Sequence, residues 1–167
     1  MKDLINRFNK EYGSNPNNWD WGDISYRTGL SEGFIREFQD KVEWDEISIN
    51  QKLSEDFIRE FQDYVEWWNI SYHQKLSEDF IREFKDKVDW YRISLKQKLS
   101  EDFINKFKDQ IDFKYLLQNP YCPPDIKFKY YKDNNMLTKE DPLKHSIEQI
   151  EEKKDNSLKE LKRLVGI

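Results

Sequence analysis

The stretch that decides the fold is Gln51-Lys52-Leu53-Ser54-Glu55-Asp56-Phe57-Ile58-Arg59-Glu60-Phe61, because it returns along the chain. Ser-Glu-Asp-Phe-Ile begins at Ser54, Ser77 and Ser100, and a variant with Gly in third place begins at Ser31, so each step is 23 residues. The same step relates Ile24, Ile47, Ile70, Ile93 and Leu116, and also Leu30, Leu53, Leu76 and Leu99. It relates the pairs Phe34/Phe38, Phe57/Phe61, Phe80/Phe84 and Phe103/Phe107, then Val42, Val65, Val88 and Ile111, then Trp21, Trp44, Trp67, Trp90 and Phe113. Many columns in one register define a tandem array, and a period of this size belongs to stacked repeat architectures.

Within one unit, Ser54 stands before Glu55 and Asp56, a hydroxyl N-cap followed by two carboxylates at the positive end of a helix dipole. A capping box needs Glu or Gln three residues after the cap; Phe57 sits there, so the reciprocal half is missing from the local sequence. Phe57, Ile58, Phe61 and Val65 lie at i, i+1, i+4 and i+8, which predicts a longer helix of about three turns with one apolar stripe. Trp67 and Ile70, followed by Ser71 and Gln74, predict a shorter helix before the next cap. Sustained period-2 alternation occurs nowhere, which excludes a sheet. A unit this small cannot bury its stripe alone, but stacked neighbours share a continuous core. Each large side chain buried there contributes roughly 1.5–3 kcal/mol. The expected fold is an all-α solenoid of 23-residue helix-turn-helix repeats between N- and C-terminal helical caps.

The divisions follow the register. Residues 1–19 form an N-terminal capping helix and turn: Leu4, Ile5, Phe8 and Tyr12 repeat the spacing of Phe34, Ile35, Phe38 and Val42, and Gly13 to Asn18 is an inserted turn. Residues 20–119 are the array. Residues 120–167 begin with a degenerate sixth copy, with Ile126 and Tyr130 in the phenylalanine columns, and continue into a helix or helix pair closing the stack. There Asp141 reads as N-cap with Pro142 at N1, Leu143, Ile147 and Ile150 follow at helical spacing, and Asp155-Asn156-Ser157 is a candidate break.

Composition removes several classes. Hydrophobic and charged residues each make up 37% of the 167 residues, figures that alone would suggest disorder, but 6 Trp, 9 Tyr and 11 Phe argue for a packed core. Alanine is absent and Gly totals 5, so large side chains must fill that core. No run of apolar residues is long enough to span a membrane, and the first eight residues lack a secretion signal's apolar segment. With Cys122 the single cysteine, the chain reads as a soluble protein of the reducing cytoplasm, its own or a host cell's. Net charge is −5, and residues 120–167 hold 10 basic and 9 acidic side chains, so the acidity belongs to the array. That field does not favour nucleic acid or anionic lipid.

No catalytic, metal or cofactor motif is visible, and the expectation is a non-enzymatic chain without cofactor. Cys122 and His145 could formally pair as a nucleophile and base, but no local motif supports it, and Cys122 falls in the Leu53/Leu76 column as a core filler. The repeated Glu-Asp pairs sit at every helix start, where capping explains them. Comparison between copies says more. The core columns barely change, whereas the residues after the Trp column run Gly22-Asp23, Asp45-Glu46, Trp68-Asn69, Tyr91-Arg92 and Lys114-Tyr115. Those after the Ser column run Tyr26-Arg27, Ile49-Asn50, Tyr72-His73 and Leu95-Lys96. The two sets are four residues apart and share a helical strip. Tyr26, Arg27, Trp68, Tyr72, His73, Tyr91, Arg92 and Lys96 are therefore the candidate partner-binding residues, Trp, Tyr and Arg being the types that dominate interfaces. Neutral drift of an exposed strip, or packing of its apolar residues Trp68, Tyr72, Tyr91, Ile49 and Leu95 on the adjacent short helix, stands beside that reading.

The repeat resembles that of tandem-repeat proteins of large DNA viruses that infect amoebae. The resemblance rests on Gln51 to Phe61 and its copies, with the Trp-x-x-Ile-Ser link, covers about residues 20–118, and leaves the tail unmatched. It implies a viral or similarly AT-rich source, in keeping with the missing Ala and abundant Lys, Asn, Asp and Ile. It implies no activity, since no chemistry is assigned to that family. The function expected is a protein–protein interaction module for a host or viral protein through the short-helix face, with end-to-end self-association through the open ends a further possibility. The alternatives are an acidic inhibitor mimicking nucleic acid, and a single-stranded nucleic-acid binder using stacked aromatics with Arg27, Arg92 and Lys96 on phosphates.

Overall fold

A computed structural model of the chain describes residues 2–134, 136 and 142–165, with side chains in the last helix described at 152, 153 and 155–164. The regular elements among them are all helical: α1 (Lys2–Tyr12), a 3-10 turn (Pro16–Asn18), α2 (Trp21–Tyr26), α3 (Glu32–Glu37), α4 (Trp44–Asn50), α5 (Glu55–Glu60), α6 (Trp67–His73), α7 (Glu78–Glu83), α8 (Trp90–Lys96), α9 (Glu101–Lys106), α10 (Phe113–Leu116), α11 (Pro124–Asp133) and α12 (Pro142–Val165). The Trp-headed helices α2, α4, α6 and α8 and the Phe-headed α10 pack one on the next in chain order, as a solenoid requires. No helix among the described residues is long and apolar enough to cross a membrane.

The core follows the columns. Ile24, Ile47, Ile70 and Ile93 are fully buried, as are Phe34, Phe57 and Phe80 and the isoleucines after them. Each Trp of the column packs on the second Phe of the unit that follows, with ring centroids 5.0 Å apart for Trp44–Phe61, 4.9 Å for Trp67–Phe84 and 5.3 Å for Trp90–Phe107. At the front end Phe8 of α1 is buried against Trp19 and Phe34, centroids 5.6 and 5.5 Å away, and Gly13 ends α1 at φ +88°. At the far end α11 fills the place of the degenerate copy. Ile126 is buried there, and Tyr130 stacks on Phe113 at 5.5 Å.

The expected three-turn helix is shorter than the stripe suggests. α5 has six residues, one fewer than the Trp-headed α6, and Phe61 leaves helical geometry at φ −109°, ψ 27°. A separate turn follows, with the N–H groups of Tyr64 and Val65 both donating to the Phe61 carbonyl. Tertiary bonds take over from the helix here. The Gln62 carbonyl accepts the Trp67 indole N–H at 2.9 Å, while the Glu66 N–H donates to Ser48 Oγ in the preceding unit at 3.1 Å. The same substitution recurs as Trp44 on Gln39 and Trp90 on Lys85.

The missing half of the capping box comes from a neighbour. Ser54, Ser77 and Ser100 each cap their own helix through Oγ, accepting from Phe57, Phe80 and Phe103. Their own N–H groups donate to Glu32, Glu55 and Glu78 of the preceding unit at 2.6–2.7 Å. Arginines also tie adjacent units: Arg36 and Arg59 lie over Phe57 and Phe80 at 4.9 and 5.1 Å and bridge to Glu60 and Glu83.

Buried glutamines join the units most closely. Gln51, Gln74 and Gln97 are 3–6% exposed. The Gln74 amide donates to the carbonyls of Ser48 and Gln51 and accepts the Leu53 N–H; Gln97 does the same to Ser71, Gln74 and Leu76. Pro120 occupies the next Gln position, and Asn119, one residue early, donates to Ser94 and Gln97 in its stead.

α12 runs without interruption through Asp155-Asn156-Ser157, where Asp155 pairs with Lys159 four residues on. Helix geometry satisfies the backbone throughout, at the modest propensity cost of Asn and Ser. It contacts α11, but Leu158, Leu161 and Leu164 are exposed. Asp141 and the side chains of Leu143, His145, Ile147 and Ile150 lie outside the described residues.

Candidate functional site

The Trp-headed helices put one edge toward solvent, and the varied columns lie along it. The copies at α6 and α8 bring the aromatic and cationic candidates together. The Arg92 guanidinium carbon sits 4.4 Å from the Trp68 ring centroid, 5.3 Å from Tyr72 and 5.8 Å from Tyr91, and Lys96 Nζ lies 4.5 Å from the Tyr72 centroid. Contacts of this kind each stabilise by about 0.5–2 kcal/mol, depending on solvent exposure. The cluster is therefore held in shape by its own contacts. Trp68 and Tyr91 remain 45 and 40% exposed. Tyr91 also meets Tyr115, centroids 3.9 Å apart, and the hydrogen bond between them raises its phenol pKa, with desolvation adding to that. His73 packs edge-on to Tyr72. Burial pushes its pKa down, and the charges of Arg92 and Lys96 push it further.

Beneath this edge Asn69 is 1% exposed, and its side-chain amide makes no hydrogen bond among the described residues. It replaces Glu46 in its column and precedes Arg92, whose Nε is likewise buried and unbonded. Ile49 and Leu95 are half-buried, so packing accounts for part of the apolar character of the strip.

Tyr26 and Arg27 lie apart from the cluster, two repeats toward the N-terminus. Tyr26 is exposed, but Arg27 is engaged: it donates to both oxygens of Glu11 at 2.8 and 2.5 Å and to Tyr12 Oη at 2.8 Å, and it pairs with Asp23. Tyr12 Oη in turn donates to Asp23. Hydrogen bonds from Arg27 to Glu11, and from Tyr12 and Arg27 to Asp23, hold both carboxyls below their usual range. Burial and Asp23 raise the Tyr12 phenol, and Glu11 and Asp23 raise Arg27. Arg27 thus fastens the capping helix to the array. Its partners Glu11 and Tyr12 belong to the capping helix, so comparison of the varied columns alone could not show the clasp.

Cys122 is buried in the leucine column, its Sγ 3.7 Å from the Pro123 carbonyl oxygen, and burial raises its thiol pKa. No group of three or more His, Cys, Asp or Glu placed to hold a metal ion occurs among the described residues.

Fold and edge together define an α-helical tandem-repeat protein that exposes an aromatic–cationic cluster. No family model, curated protein or solved structure matches the chain.

Proposed function

We propose that the chain is a non-enzymatic protein-interaction module that presents the edge of α6 and α8 to a protein segment. The carrying observation is that Trp68 and Tyr91 stay exposed with the Arg92 guanidinium over both rings, in a column that holds Gly22, Asp45 and Lys114 in the other copies. Drift at a solvated edge gathers polar residues; two large rings around a pre-positioned guanidinium are what interface anchors look like. The acidic-mimic alternative has less support, because Glu55, Glu78, Glu60, Glu83, Asp56 and Asp79 already hold partners within the array. A viral source rests on the sequence resemblance alone.

The test is quantitative crosslinking with mass spectrometry in cells that express the chain, comparing wild type with Trp68→Ala/Tyr91→Ala. A crosslinked partner lost from the double variant, with the helical circular dichroism spectrum intact, supports the reading. Equal recovery of every partner by both proteins overturns it.

A further inference from the structure

Next to the aromatic cluster, where the array ends, the molecule has a groove of about 540 Å³ whose walls include Tyr72, His73, Lys75, Lys96, Lys98 and Tyr121. The groove lies where the glutamine rung gives way. Pro120 cannot supply the amide of a buried glutamine and Asn119 makes the contact one residue early, while Tyr121 keeps the 23-residue step and stands in the column of Lys75 and Lys98. Tyr121 is 58% exposed.

The charge of this groove is opposite to that of the chain. Net charge is −5, yet no Asp or Glu lines the groove. Lys75, Lys96 and Lys98 form no ion pair among the described residues, in contrast to Lys87 with Asp63 and Lys159 with Asp155. Three ammonium groups without a carboxylate partner, in one lining with two tyrosines and in a space of the size that holds a few amino-acid residues, are complementary to carboxylates flanking an aromatic side chain.

We propose that this groove is a docking site for an acidic peptide segment, its carboxylates meeting Lys75, Lys96 and Lys98 and its aromatic or apolar side chain entering between Tyr72 and Tyr121. The proposal rests on the interaction-module reading and supplies the chemistry of its partner. A nucleic acid fits less well. The same helical edge carries Asp45 and Glu46 one repeat earlier, so a phosphate backbone extending that way meets carboxylates.

The experiment is fluorescence anisotropy on the full chain with a short fluorescein-labelled peptide of Asp and Glu around a central Trp. A matched peptide with Lys at every acidic position and a short oligo-dT serve as comparisons. The acidic peptide should bind, weaken as salt is raised, and lose at least about tenfold in affinity in Lys75→Glu/Lys98→Glu, the scale of one lost charge-assisted hydrogen bond. Lys52→Glu, in the same column but outside the groove, should leave binding unchanged. No binding of the acidic peptide, equal or tighter binding of oligo-dT or the Lys peptide, or an equal loss in Lys52→Glu overturns the proposal. Trp68→Ala/Tyr91→Ala separates the two readings. If crosslinked partners survive that change while the peptide still needs Lys75 and Lys98, the groove stands and the aromatic edge falls.

Discussion

The side-chain oxygen of Gln74 accepts the backbone N–H of Leu53 at 3.1 Å, across 21 residues of sequence and the boundary between two repeats. With the two carbonyls that its amide nitrogen reaches, Gln74 satisfies three backbone groups in a dry interior. Such groups cost about 1–3 kcal/mol each when left unbonded. Gln74→Ala should therefore lower stability in urea by about 3 kcal/mol, whereas the exposed Gln110→Ala should change it by less than about 0.5 kcal/mol. A loss below about 1 kcal/mol at Gln74 would show that the rungs are not where the units are joined.

Asn69 makes the opposite case. Its amide is buried without a hydrogen bond among the described residues, and Val carries no polar atom while exceeding its volume by only about one methylene group. Removing a polar group that gains nothing from burial should stabilise the fold by about 1 kcal/mol, seen as a higher thermal midpoint for Asn69→Val. A lower midpoint would reveal a bonding role for the amide.

The Arg27 clasp predicts a pH dependence confined to the front of the molecule. Glu11 and Asp23 titrate below their ordinary range when folded, so the unfolded chain takes up protons first. Their contribution is complete above the unfolded carboxylate pKa of about 4 and is lost as pH falls through the lower folded values. Both carboxylates are partly exposed, and solvent keeps the effect small. Amide protection in α1 should fall at acid pH before that of α6, and Arg27→Met should remove the difference. Parallel loss in both helices at every pH would reject the clasp.

Cys122 should be slow to alkylate. Burial raises its pKa and closes access, so iodoacetamide should label it at neutral pH at least about tenfold more slowly than free glutathione, with full reactivity regained in urea. Fast labelling of the folded chain would reopen the case for a nucleophile.

Much of this was legible in the sequence because each core column repeats one residue type. Phe57 and Phe80, or Ile47 and Ile70, could be assigned to the interior from the period alone, and Ser54 to a helix start from the two acids after it. The break at Phe61 was not, since no Gly or Pro marks it; it depends on Ser48 and Trp67 competing for backbone groups that a helix would have used. The sequence around Glu55 shows only local capping, because the N–H that it accepts belongs to Ser77, one unit on. The glutamine rungs did leave a signal: Gln51, Gln74 and Gln97 are polar yet unchanged between copies, unlike the residues of the neighbouring strip. The cluster of Trp68, Tyr72, Arg92 and Lys96 was visible as a strip, whereas the separation of Arg27 from it needed the position of α1.

Because the rungs of Gln74 and Gln97 reach back by the same intervals, the number of copies is free in a way that their length is not. Removing the segment from Leu53 to Lys75 brings Leu76, already bonded by Gln97, into the place of Leu53, and each clasp finds a replacement partner. A cut one residue shorter leaves every downstream amide facing the wrong backbone atom. Duplication and loss of whole units can therefore exchange the displayed edge, Trp68 included, while the fastening between neighbours carries over unaltered.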